Sequence, residues 1–99
     1  MESTRSYQLA QRALADLKIA VYEVLSLAAE EGLTNAQVGR MLGIYGGHEG
    51  HEGHISRVVL GLLETDGTAQ QDQATKRWNL RRRIEQFEAL EPPATVTGH

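Results

Sequence analysis

The sequence predicts a mainly α-helical fold with one small β-hairpin. Three observations predict it: apolar residues recur at helical spacing in three successive segments, Gly32, Gly43 and the Asp66-Gly67 pair punctuate them, and Trp78 and Leu80 then alternate with Arg77, Asn79 and Arg81. The chain of 99 residues is long enough for one domain that buries about two-thirds of its unfolded surface, so a single core is expected.

The first helix is expected from about Ser6 to Glu31, where Leu14, Leu17, Val21, Leu25 and Ala28 recur at intervals of three and four and Gly32 supplies the stop. Ile19, Tyr22, Val24 and Leu27 widen the apolar surface beyond one stripe, which calls for packing on two sides, against a C-terminal helix or a second subunit. The second helix, about Asn35 to Leu42, opens on a capping box: Thr34 accepts from the backbone three residues on while Gln37 reaches back to the cap's own N–H. Val38, Met41 and Leu42 form its expected buried face, and Gly43 ends it.

The third helix carries the clearest periodicity. Ile55, Val58, Val59, Leu62 and Leu63 fall on one face, which is expected to be core. The opposite direction runs through Gly53, Arg57, Gly61 and Glu64, with His54 and Ser56 on the two shoulders. Beyond Asp66-Gly67, the stretch Thr68-Ala69-Gln70-Gln71 is too polar to read as a strand unaided, whereas the arm through Trp78 and Leu80 has the strand period. Ile84, Phe87 and Leu90 then predict a short amphipathic helix ending before Pro92-Pro93, followed by a frayed tail. The expected organisation is a domain over residues 1–83 and a short helix with its tail over 84–99.

Charge and composition exclude several classes. A net charge of −3 argues against a uniformly basic coat, yet Lys76, Arg77, Arg81, Arg82 and Arg83 form a run without an acid while Glu2, Asp16, Glu23, Glu30 and Glu31 weight the first third negative. No apolar run approaches the roughly 20 residues that a bilayer span needs, so no membrane association is expected. Met-Glu-Ser-Thr-Arg has no basic segment followed by an apolar one, and a cytoplasmic location is the expectation. With no cysteine there are no disulfides or thiolate ligands. Neither a nucleophile elbow, a phosphate-cradling glycine loop nor a cofactor fingerprint occurs, so the chain is not expected to be an enzyme or to carry a cofactor.

Between the second and third helices lies Gly43-Ile44-Tyr45-Gly46-Gly47-His48-Glu49-Gly50-His51-Glu52-Gly53-His54. His48, His51 and His54, interleaved with Glu49 and Glu52, offer nitrogen and oxygen ligands within seven residues. On a regular helix only neighbouring pairs would share an ion, and the glycines favour a loop. The spacing is not that of the His-Glu-x-x-His zinc hydrolases. A turn without metal and a metal-sensing turn both remain open.

Two segments carry a resemblance. Gln37-Val38-Gly39-Arg40-Met41-Leu42-Gly43-Ile44 resembles the first half of a helix-turn-helix, in which Gly39 would let two helices cross closely and Gly43 would make the turn. Ile55-Ser56-Arg57-Val58-Val59 resembles the start of the recognition helix in winged helix-turn-helix transcriptional regulators. The resemblance covers about half the chain, Leu33 to Leu80, and the Gly-His-Glu triplets lengthen the usual turn by about six residues. It implies a three-helix core plus wing with a long N-terminal and a short C-terminal helix. The implied partner is double-stranded DNA, with the third helix in the major groove and the wing on the backbone. Candidate contacts are His54, Ser56 and Arg57 in the groove, Lys76, Arg77, Arg81, Arg82 and Arg83 on phosphates, and Thr34 and Asn35 at a helix terminus. A homodimer through the first and last helices would complete it. The alternatives are a winged-helix protein-interaction module, which the net acidity favours, and a metal-responsive regulator using the histidine turn.

Overall fold

The computed structural model describes residues 2–46 and 52–81, and these form three helices followed by an antiparallel hairpin: α1 (Glu2–Leu27), α2 (Asn35–Met41), α3 (His54–Thr65), β1 (Ala69–Gln71) and β2 (Trp78–Leu80). The expected helix over Ile84 to Leu90 and the tail lie outside the described residues, as do His48, His51, Arg82 and Arg83.

All five elements meet in one core of Val21 and Leu25 from α1, Val38 from α2, Val59, Leu60 and Leu63 from α3, Ala69 from β1, and Trp78 and Leu80 from β2. Leu17, Tyr22, Val24, Leu33 and Leu42 pack around it half-buried. Removing each large side chain from water contributes about 1.5–3 kcal/mol, which is what draws the elements together. Only the second half of α1 takes part. Residues 3–13 are exposed on every side, and Tyr7, Leu9, Ile19 and Leu27 leave their apolar surface in water. Tyr22 and Val24 do pack inward, so the widened apolar surface of α1 is divided between core and solvent.

α1 starts four residues before the expected Ser6 and ends at Leu27, short of Glu31. Its early end follows from a tertiary pairing. Leu33 forms an isolated antiparallel bridge with Trp78, its N–H donating to the Trp78 carbonyl at 3.1 Å and its carbonyl accepting from the Trp78 N–H at 2.7 Å. The chain must leave the helix to reach that position, and Gly32 makes the bend with φ of +81°. The Asn79 amide reinforces the pairing by donating to the Glu30 carbonyl at 2.8 Å. Lys18 adds an ion pair with Asp66, the C-cap of α3, at 3.0 Å, half-exposed and so of small energetic weight.

The hairpin pairs Ala69 with Leu80, Gln70 with Asn79 and Gln71 with Trp78. β1 was illegible from its polarity because only one of its three side chains, Ala69, is buried. Its strand conformation comes from the ladder. In the connecting turn the Asp72 carboxylate accepts from the N–H groups of Ala74 and Thr75 at 2.8 and 2.9 Å. Those backbone donors hold its pKa below the usual carboxylate range. Their contribution is therefore complete above the ordinary carboxylate pKa and fades as pH falls through the lowered value.

The core face of α3 differs from the expected one. Ser56, Val59, Leu60 and Leu63 are buried, while Ile55 and Val58 are each 48% exposed. At 100° per residue this turns the buried direction by about 80° from the axis through Ile55, Val58, Val59, Leu62 and Leu63. Val59 and Leu63 belong to both faces, Leu60 replaces Ile55 and Val58, and a serine occupies a position that hydrophobic patterning assigns to solvent.

Candidate nucleic-acid interface

The phase of α3 is set by a polar latch to α2. The Ser56 hydroxyl is 0% exposed; it lies 2.7 Å from Asn35 Oδ1 and 3.1 Å from the Gly53 carbonyl, positions from which it can donate. Asn35 Nδ2 donates to the same Gly53 carbonyl at 3.1 Å. A buried hydroxyl without such partners would cost about 1–3 kcal/mol, so satisfaction by Asn35 is what permits a serine to face inward. Glycines allow the approach. A Cβ on Gly39 would stand 2.9 Å from the Ser56 hydroxyl and 3.1 Å from the Tyr45 side chain. One on Gly53, whose φ is +79°, would stand 2.6 Å from the Asn35 amide. Gly39 thus sits at the close helix crossing, as the resemblance implies.

The chain around the histidine insert closes on itself. The Gly53 N–H donates to the Tyr45 carbonyl at 2.7 Å, so the two ends of the insert are joined by a backbone bond immediately before α3. At the other end of α2 the capping box is complete: Gln37 N–H donates to the Thr34 hydroxyl at 3.2 Å and Thr34 N–H donates to the Gln37 amide oxygen at 2.8 Å.

These contacts redistribute the candidate residues. Ser56 is sealed between α2 and α3 and does not face a groove, which corrects the expectation for it. Asn35 is consumed by the latch and Thr34 by the capping box, so their side chains serve the fold instead of a phosphate. Arg77, expected to point outward, is half-buried and donates from Nη1 to the Gly32 carbonyl at 2.9 Å, clamping the hairpin to the α1–α2 connection. His54 and Arg57 are exposed on α3, and the Arg57 guanidinium lies at a long 3.5 Å from the Glu52 carbonyl. Lys76 is exposed at the hairpin turn, in the left-handed conformation with φ of +64°. Arg81 is exposed at the end of β2, its Nη1 donating to the neutral Gln70 amide oxygen at 2.7 Å.

Pattern reading overlooked Arg40, Ile55 and Val58. Arg40 lies exposed in the last turn of α2, its guanidinium 4.6 Å from the centre of the Tyr45 ring, a cation–π contact that holds it beside the start of the insert. From Gly32 to Leu63 the sequence balances Arg40 and Arg57 against Glu49 and Glu52 with histidines neutral, whereas the whole chain is net negative; that local neutrality is the signal the sequence offered for Arg40. Of the metal-binding candidates only His54 is described, and no group of three or more His, Asp or Glu able to hold an ion occurs among the described residues.

No family model, curated protein or solved structure matches this chain. Among the described residues, no helix is long and apolar enough to cross a membrane.

Proposed function

We propose that the protein is a winged helix-turn-helix DNA-binding protein, acting in the cytoplasm as a transcriptional regulator. In this reading α3 enters the major groove of duplex DNA and the β1–β2 hairpin lies along the backbone. The observation that carries it is the arrangement of α3: its inner side is latched to α2, and its first two turns present His54 and Arg57 outward, with the helix's acid, Glu64, two turns beyond Arg57. The order of three helices and then a hairpin supports the same reading. Lys76 and Arg81 supply phosphate contacts in it, and Arg40 joins them.

Phosphate neutralisation releases counterions, so affinity for random-sequence duplex DNA is expected to fall steeply with salt, with a logarithmic slope of about 0.9 per phosphate contacted. Arg57→Ala combined with Lys76→Ala is expected to weaken binding about tenfold or more at low salt and to reduce that slope by about 2. Unchanged affinity and slope in a fluorescence-anisotropy titration would reject the docking face. Binding that ignores salt would favour the protein-interaction module instead.

The reading includes a homodimer. The exposed half of α1 is about the length at which an isolated helix is marginal in water, and Tyr7 and Leu9 leave apolar surface on it. A second copy covering this half supplies what the core does not. Sedimentation equilibrium is expected to give a dimer for the parent chain and a monomer for Tyr7→Ser/Leu9→Ser; a parent monomer at high micromolar concentration refutes it.

A further inference from the structure

The turned face of α3 leaves two aliphatic side chains where a docking helix would meet its ligand. Ile55 and Val58 are three residues apart on the first turns of the helix, each 48% exposed, and the core gains little from them. At 100° per residue they occupy one flank of the outward side and Arg57 the other, with His54 between. Neighbouring side chains at this spacing stand about 5–6 Å apart at Cβ and form one continuous apolar contact.

We propose that Ile55 and Val58 read the 5-methyl groups of thymine in the major groove, so that the DNA ligand is a duplex carrying thymine under the first two turns of α3. This rests on the DNA-binding reading above. The thymine methyl is the apolar group that unmodified duplex DNA offers on its major-groove edge, and aliphatic contact is how protein side chains distinguish it. Charge selects DNA over an apolar protein surface as the occupant. Arg57 and Arg40 are exposed on α3 and α2, and the first two turns of α3, His54 to Gly61, carry no acid; Glu64 stands about 10 Å further along the helix from Arg57, so a polyanion meets cationic side chains at the end that bears Ile55 and Val58. His54 and Arg57 then supply polar contacts to base edges or phosphates beside the methyl contacts.

The test uses the full chain and two fluorescein-labelled duplexes of about 24 base pairs, one of alternating adenine and thymine, the other with uracil in place of every thymine. The two have the same charge and pairing and differ in the 5-methyl groups. In fluorescence anisotropy at about 50 mM salt the parent chain is expected to bind the thymine duplex about four- to fifteenfold more tightly, the scale of one or two methyl groups removed from water. Ile55→Ser/Val58→Ser is expected to bring the two affinities within about twofold while leaving that for the uracil duplex nearly unchanged and lowering the melting temperature by no more than about 8 °C, with binding read well below the melt. Equal affinity of the parent for both duplexes, with the usual salt dependence, overturns the methyl contact and leaves DNA binding standing. A thymine preference that survives in the double variant shows that other residues read the methyl and overturns it as well. Self-association abolished by the same substitutions assigns the patch to a second copy, and failure to bind either duplex removes this inference together with the function it rests on.

Discussion

Gly32→Ala is expected to be the most damaging single substitution among the described glycines. Gly32 is buried with φ of +81°, and a Cβ there would fall on the carbonyl oxygen of Trp78, with the Asn79 amide 2.9 Å away. That carbonyl is backbone and accepts from Leu33, so it cannot move aside without breaking the bridge that joins the α1–α2 connection to β2. The left-handed conformation alone costs a non-glycine residue about 1–2 kcal/mol, and the collision adds to it. A total of at least about 3 kcal/mol corresponds to a fall in melting temperature of about 12 °C or more for a domain of this size. Gly67→Ala is the internal control: its φ is +80°, but a Cβ would meet nothing within 4 Å, so it bears the conformational cost alone. Equal melting temperatures for the two variants by circular dichroism would contradict the contact at Gly32.

The second large effect separates the two possible faces of α3. Leu60 is fully buried and Ile55 half-exposed, so Leu60→Ala is expected to lose about 2–5 kcal/mol in urea unfolding and Ile55→Ala less than about 1 kcal/mol. Hydrophobic periodicity alone predicts the reverse order. If Ile55→Ala proved the more destabilising, the helix would sit in the periodic phase, Ser56 would face outward, and the latch with Asn35 would not exist.

The difference between these phases marks what the sequence reveals and where it stops. Signals confined to a few residues are readable: the Thr34 and Gln37 capping box forms as spaced, Gly43 follows α2 in the left-handed region, and Trp78 and Leu80 turn inward on alternate positions. What is not readable depends on partners far along the chain. Ser56 is buried because Asn35, 21 residues earlier, satisfies it. Arg77 turns in to the carbonyl of Gly32, 45 residues away. α1 ends early because Leu33 is needed at Trp78. For the candidate interface the consequence is selective: exposure of Arg57, His54, Lys76 and Arg81 agrees with the pattern reading, whereas Ser56, Asn35, Thr34 and Arg77 are held by the fold. Ile55 and Val58 reach the surface only because a buried serine turned the helix.

The hydrogen bond from Gly53 to the Tyr45 carbonyl separates the histidine-rich excursion from the geometry it interrupts. Since its two ends are already stitched, doubling the number of residues spliced between them costs only about 0.6 kcal/mol of ring-closure entropy. How the two neighbouring rods cross is consequently set at Tyr45 and Gly53 themselves, by a closure that the spliced residues do not have to supply.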